Sequence, residues 1–234
     1  MNLIKAQTIV KIIDASIDNA SELATCAKLL MKSGKFATSL AMSVFALEEL
    51  GKAALADGLA MGKKRPVRIQ NFEVGHRSHT LKLKYAAGLP LLLLSWYAHR
   101  PTPDLKLLNT IMNMNKEWHR LRTEMYSCCS GISTLDELHT LKMSALYVSY
   151  NEKAGIISPN TMVSEECAGC ALRLSSYGVK STNKIWKLAK NDYINFVSKV
   201  RSLDDDKLLE IRSIVEKWTK KLMPGKKIMF SASS

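Results

Sequence analysis

The chain has no run of about 18 unbroken apolar residues, the length a membrane-spanning helix needs, so a helical membrane protein is not expected. Its longest candidate, from Ala86 to Ala98, is broken by Pro90 and closes on His99 and Arg100. The N-terminal stretch carries Lys11 and Asp14 where a secretion signal needs an apolar core and a cleavage site. A soluble, cytoplasmic protein is therefore expected. Cysteine is sparse and odd in number, five in 234 residues, which argues against a disulfide framework and suits a reducing compartment. No phosphate-binding glycine loop is present, since Gly62-Lys-Lys-Arg does not match GxxxxGK[ST], and no Ser/His/Asp motif appears. The sequence shows no domain-scale internal repeat and no low-complexity tract. Acidic residues are also in short supply: 21 Asp and Glu face 34 Lys and Arg, a formal charge of +13 that attracts polyanions without specifying one.

What is abundant is helical spacing. Apolar residues recur at three and four positions nearly everywhere and alternate at two hardly at all, which predicts an all-α fold. Helices are expected at about 3–32, 36–61, 76–99, 104–128, 134–147, 162–200 and 204–222. Ser33-Gly34-Lys35 makes the first turn, Pro66 stops the second helix, and Arg100-Pro-Thr-Pro-Asp104 breaks the chain again with Asp104 as an N-cap. Residues 149–160 read as a loop or short hairpin. Gly169 and Gly178, each costing about 1 kcal/mol in a helix interior, suggest that 162–203 is two helices meeting near Ser175. The composition allows one core, divided here as a helical domain over 1–165 and C-terminal helices with a basic tail over 166–234.

The second helix is apolar on nearly every face, which marks it as buried. Glu48, Glu49 and Lys52 interrupt it within five positions. Buried charges need partners, so the trio is expected to pair internally or with a neighbouring helix. The third helix offers His79 and Lys82, three residues apart on one face, and an antiparallel packing sets them against the trio. A carboxylate beside the imidazole gives a general acid or base next to cations that hold a phosphate. The structural alternative is an ion network that fixes helix register.

Cys167-Ala-Gly-Cys170 and His76/His79 each have the spacing of half a zinc site, but no second Cys-x-x-Cys accompanies them. No metal or cofactor is expected, and Cys167 and Cys170 read as small residues in a helix interface, with Cys128 and Cys129 buried or inert rather than catalytic. Trp96, Tyr97, Trp118, Trp186 and Trp218 sit at helical positions and read as core or interface. Two basic clusters remain. Lys63, Lys64, Arg65, Arg68, Arg77, Lys82 and Lys84 face Glu73 alone, a formal +6, and Lys217, Lys220, Lys221, Lys226 and Lys227 surround Trp218. In a +13 chain, the first of these is a candidate RNA-binding stretch.

The segment Ala41-Met-Ser-Val-Phe-Ala-Leu-Glu-Glu-Leu-Gly-Lys52 resembles the signature of the AbiV family of phage abortive infection proteins. His79-x-x-Lys82 follows it in order, and Ala145-Leu-Tyr-Val-Ser-Tyr150 with Gly155 and Pro159 is similar to the family's Ala-Leu-Tyr-Val-Asp element. The resemblance covers roughly residues 5–165. It implies a HEPN-type helical bundle, usually dimeric, that stops phage multiplication by shutting down translation, with a phage-encoded protein as possible activator. Many HEPN proteins are metal-independent ribonucleases that use Arg followed, after four to six residues, by His. This chain departs from that pattern: seven residues separate Arg68 from His76, and Arg77 stands too close to His79. Ser149 also replaces the family's Asp.

The resulting expectation is an all-α, HEPN-like bundle with additional C-terminal helices, homodimeric, acting against phage on RNA or a ribosome-associated target and not on a membrane. If catalytic, His79 transfers the proton, Glu48 or Glu49 orients it, and Lys52 and Lys82 hold the scissile phosphate. Lys63, Lys64, Arg65, Arg68, Arg77 and Lys84 contact RNA. The alternative is a non-catalytic helical module that docks on RNA or an acidic protein.

Overall fold

The computed structural model describes residues 5–61, 76–98, 104–152 and 155–202. Eight α-helices are seen among them: α1 (Ala6–Lys32), α2 (Phe36–Met61), α3 (His76–Ala87), α4 (Leu89–Ala98), α5 (Leu105–Cys128), α6 (Leu138–Leu146), α7 (Pro159–Met162) and α8 (Glu165–Ser202). A 3-10 turn, Leu135–Glu137, leads into α6. Between α6 and α7 a small antiparallel hairpin pairs β1 (Ser149–Asn151) with β2 (Gly155–Ile157), Tyr150 opposite Ile156. The protein is an all-α bundle with this one hairpin appended, as the spacing of its apolar residues predicts.

α2 is the axle. Leu40, Ala41, Val44, Leu47, Leu50 and Leu55 are all fully buried, because α1, α3, α6 and α8 pack around it. Its all-round apolar surface is what such a position demands. α1 and α2 form a tight antiparallel pair. Gly34 takes the left-handed conformation (φ 70°), the Gly34 amide donates to the Met31 carbonyl and the Lys35 amide to Leu30, the pattern of a Schellman cap. At the start of α5, the Asp104 carboxylate accepts from the Lys106 and Leu107 amides at 3.0 and 3.1 Å, satisfying donors that the helix leaves open.

Two expected boundaries are corrected. Residues 76–98 are not one helix: the Gly88 amide bonds Tyr85 in a tight turn, and Pro90, which has no amide to donate, is accommodated in the first turn of the new helix α4. Conversely, α8 is a single helix of 38 residues with no joint near Ser175. Its glycines permit close packing instead. A side chain at Gly178 would stand 2.7 Å from the Trp118 ring and 2.8 Å from Leu50, so the glycine lets α8 press against α2 and α5. Tertiary contact outweighs helix propensity here. The helix expected at 204–222, Trp218 and the C-terminal lysines lie outside the described residues.

Trp96, Trp118 and Trp186 are core residues as expected. One of them joins a polar knot that ties α8 to α2 and α4. Trp96 Nε1 and the Tyr193 hydroxyl both donate to Asp57 Oδ1, at 3.0 and 2.7 Å. Burial pushes the Asp57 carboxyl up to about 6, against the opposing pull of the Tyr193 and Trp96 hydrogen bonds.

Four of the five cysteines are paired, which corrects the expectation that the cysteines form no disulfide framework. Cys128 joins Cys170 and Cys129 joins Cys167, leaving Cys26 exposed and free. The reason is topological: α5 packs against α8, and the end of the one meets the start of the other.

Candidate active site

α2 and α3 cross in unusually close contact. An ideal Cβ at Gly51 would lie 1.7 Å from the Lys82 carbonyl oxygen, so only glycine fits, and α3 comes down onto α2 beside Glu48. Glu48 is nearly fully enclosed. His79 Nδ1 lies 2.7 Å from its Oε2, and Lys142 Nζ, from α6, lies 2.5 Å from its Oε1. With an ammonium on one oxygen, the carboxylate can only accept, so His79 Nδ1 is the protonated nitrogen and Nε2 is the one left to exchange a proton. The Lys142 side chain is 2% exposed and that of Glu48 4%, whereas that of His79 is 34% exposed and opens the cluster to solvent.

A second imidazole completes the arrangement. His139, buried on α6, stacks on His79 with ring centroids 5.3 Å apart and planes 20° from parallel. Lys142, one turn further, also lies over the Phe45 ring at 4.4 Å. Neither His139 nor Lys142 is among the residues expected from the sequence, yet the sequence carries a signal for both. His79-Thr-Leu-Lys82 and His139-Thr-Leu-Lys142 are the same tetrapeptide, too short to stand out as an internal repeat. The fold brings both copies to Glu48.

The charged trio divides. Lys52 pairs with Glu49 at 3.4 Å and not with Glu48, although Glu48 lies one turn before it. Glu49 and Lys52 border a groove of about 460 Å³ whose opposite wall is α1, including Lys11 and Asn19. Lys82 is buried between the two halves. Burial lowers its pKa from the usual lysine range; Glu49 and then Glu48 work against that shift, and Lys52 and Lys142 add to it.

Glu48, His79 and His139 place one carboxylate oxygen and two imidazole nitrogens within 4.8 Å of one another, a set of the right chemistry for a transition metal. In the observed arrangement, however, the Lys142 ammonium already stands where a cation would balance Glu48. The geometry is that of a proton-transfer cluster or an ion network.

Of the expected RNA contacts, Lys84 is exposed and 3.6 Å from Asp136. Lys63, Lys64, Arg65 and Arg68 lie outside the described residues. Arg77 falls on α3, its side chain outside those described.

A family model described as AbiV, of HEPN type, matches residues 8–176. The chain belongs to the AbiV family. The match takes in every residue around Glu48 and reaches the first part of α8, and the family is one of abortive infection, an antiphage function. No curated protein and no solved structure matches this AbiV chain.

Proposed function

We propose that this AbiV protein is an antiphage effector that acts on RNA, or on the translation machinery through RNA, with the Glu48 cluster as its centre. The observation that carries the reading is the enclosed Glu48 carboxylate gripping His79 by Nδ1 while Lys142 neutralises it. That grip fixes the ring and its tautomer, as a general base requires. His79 Nε2 takes the proton of an RNA 2′-hydroxyl as its oxygen attacks the adjacent phosphorus. Lys52 and Lys82, whose charges act on each other, are the cations assigned to the phosphate, and the lowered pKa of Lys82 suits it to protonate the departing oxygen. Lys11 and Lys52 along the α1–α2 groove, and the basic stretch before α3, favour a polyanionic chain as substrate. Action as a homodimer fits the large apolar side chains of Tyr147, Val148 and Ile156, which stand exposed around the hairpin.

One observation favours the non-catalytic module. The Lys142–Glu48 pair is so enclosed that it resembles a register-fixing strut. Cleavage of total cellular RNA by purified protein separates the two, with His79→Ala beside wild type and folding followed by circular dichroism. Cuts made by wild type and lost in the folded variant support the catalytic reading. RNA binding that weakens steeply with salt but gives no cuts, even after phage lysate is added, supports the module.

A further inference from the structure

A second constellation lies at the junction of α5 and α8, apart from the Glu48 cluster. Cys128 is the last residue of α5 and Cys129 follows it in extended conformation. Cys167 and Cys170 share one face of the opening turns of α8, where the Ser164 hydroxyl caps the Cys167 amide at 3.1 Å. The Cα atoms of the bonded pairs are 6.6 Å apart for Cys128 and Cys170 and 5.0 Å for Cys129 and Cys167. Cys129, Cys167 and Cys170 are buried. Two disulfides thus join the same two short segments, with three of their four cysteines buried.

We propose that in the reduced chain these four cysteines bind a zinc ion. Two pairs of thiolates, one at a helix end and one at a helix start in Cys-x-x-Cys spacing, are the ligand set of a closed tetrahedral four-thiolate site. The surroundings favour the thiolate form. The positive dipole end of α8 lies at Cys167, in its first turn, and Arg173 Nη2 is 3.1 Å from Cys170 Sγ. Glu166, whose Oε1 is 3.9 Å from Cys128 Sγ, opposes this, but it is exposed to solvent. Each disulfide takes two electrons and two protons from a dithiol reductant, which closes to its own disulfide; zinc then displaces the four thiol protons. The ion would anchor the stretch that begins at Cys129 and, across residues 130–134, delivers α6 with His139 and Lys142 to Glu48.

The test is the metal content of the full chain purified in a dithiol reductant without chelator, with thiols counted by alkylation and mass spectrometry. About one zinc per chain is expected, absent from Cys167→Ser and Cys129→Ser and retained by Cys26→Ser. Cobalt substituted for the zinc should give thiolate-to-metal charge-transfer absorption. Folded wild-type protein that carries no zinc, whether its cysteines are then free thiols or intact disulfides, overturns the proposal without touching the reading of the Glu48 cluster.

Discussion

Gly51 and Gly58 lie on the same helix seven residues apart, and replacing each by alanine should change stability in opposite directions. At Gly51 the new methyl group would stand 1.7 Å from the Lys82 carbonyl oxygen and 2.5 Å from its carbon, where real Cβ atoms essentially never come within 3.0 Å. The obstacle is backbone, so no side chain can rotate away; α3 must retreat by about 1.3 Å. His79 rides on α3, so a 2.7 Å hydrogen bond to Glu48 is carried out of reach. Helix propensity returns about 1 kcal/mol for Gly to Ala. Overpacking costs about 1–3 kcal/mol, and a backbone obstacle this close puts Gly51 at the upper end, leaving Gly51→Ala destabilised by about 2 kcal/mol. At Gly58 the methyl meets only Tyr85 Cε1 at 3.8 Å, an ordinary contact, and the propensity gain of about 0.5–1 kcal/mol survives. Urea unfolding of the two variants beside wild type measures the difference, which should approach about 3 kcal/mol, or roughly 6–12 °C in Tm. A Gly51→Ala protein as stable as wild type would refute the close crossing on which the site depends.

Asp57 makes stability depend on pH. Its carboxyl titrates at about 6 in the fold against 3.8 when exposed, so the folded state binds the proton more tightly. That contribution, about 3 kcal/mol, is complete below pH 3.8 and is lost as pH rises through 6. Asp57→Asn keeps an oxygen for Trp96 and Tyr193 and removes the titration, so denaturant midpoints from about pH 4 to 7 should fall for wild type relative to the variant; parallel profiles would contradict the assignment. Glu48→Gln strands the Lys142 ammonium in an enclosed site and should cost about 3–5 kcal/mol in chemical denaturation. Adding Lys142→Met should recover most of that loss, since the pair then leaves no buried charge.

Much of the fold can be read from the sequence because apolar periodicity is a local signal: α1, α2, α5 and the hairpin fall where the pattern puts them. The single span of α8 is not local. Gly178 reads as a break until Trp118 and Leu50 are seen pressed against it, and Gly88 ends α3 although the apolar pattern runs on. The site is legible by half. Three charges in a buried helix mark Glu48, and its order with His79 follows from the adjacent helix. Lys142, 94 residues away, reaches Glu48 only through tertiary packing, and nothing but the repeated His-Thr-Leu-Lys hints at it. The cysteine pairs, 38 and 42 residues apart, are hidden for the same reason.

If His79 is the proton-transfer group, the antiphage effect runs through the imidazole that Glu48 holds. Plating a panel of phages on cells making wild-type protein or His79→Gln, at equal steady-state levels, tests it most directly. His79 is partly exposed, so the variant should fold and accumulate normally. Wild type should restrict plaque formation and His79→Gln should not; equal restriction by the two proteins would rule out that role for the imidazole.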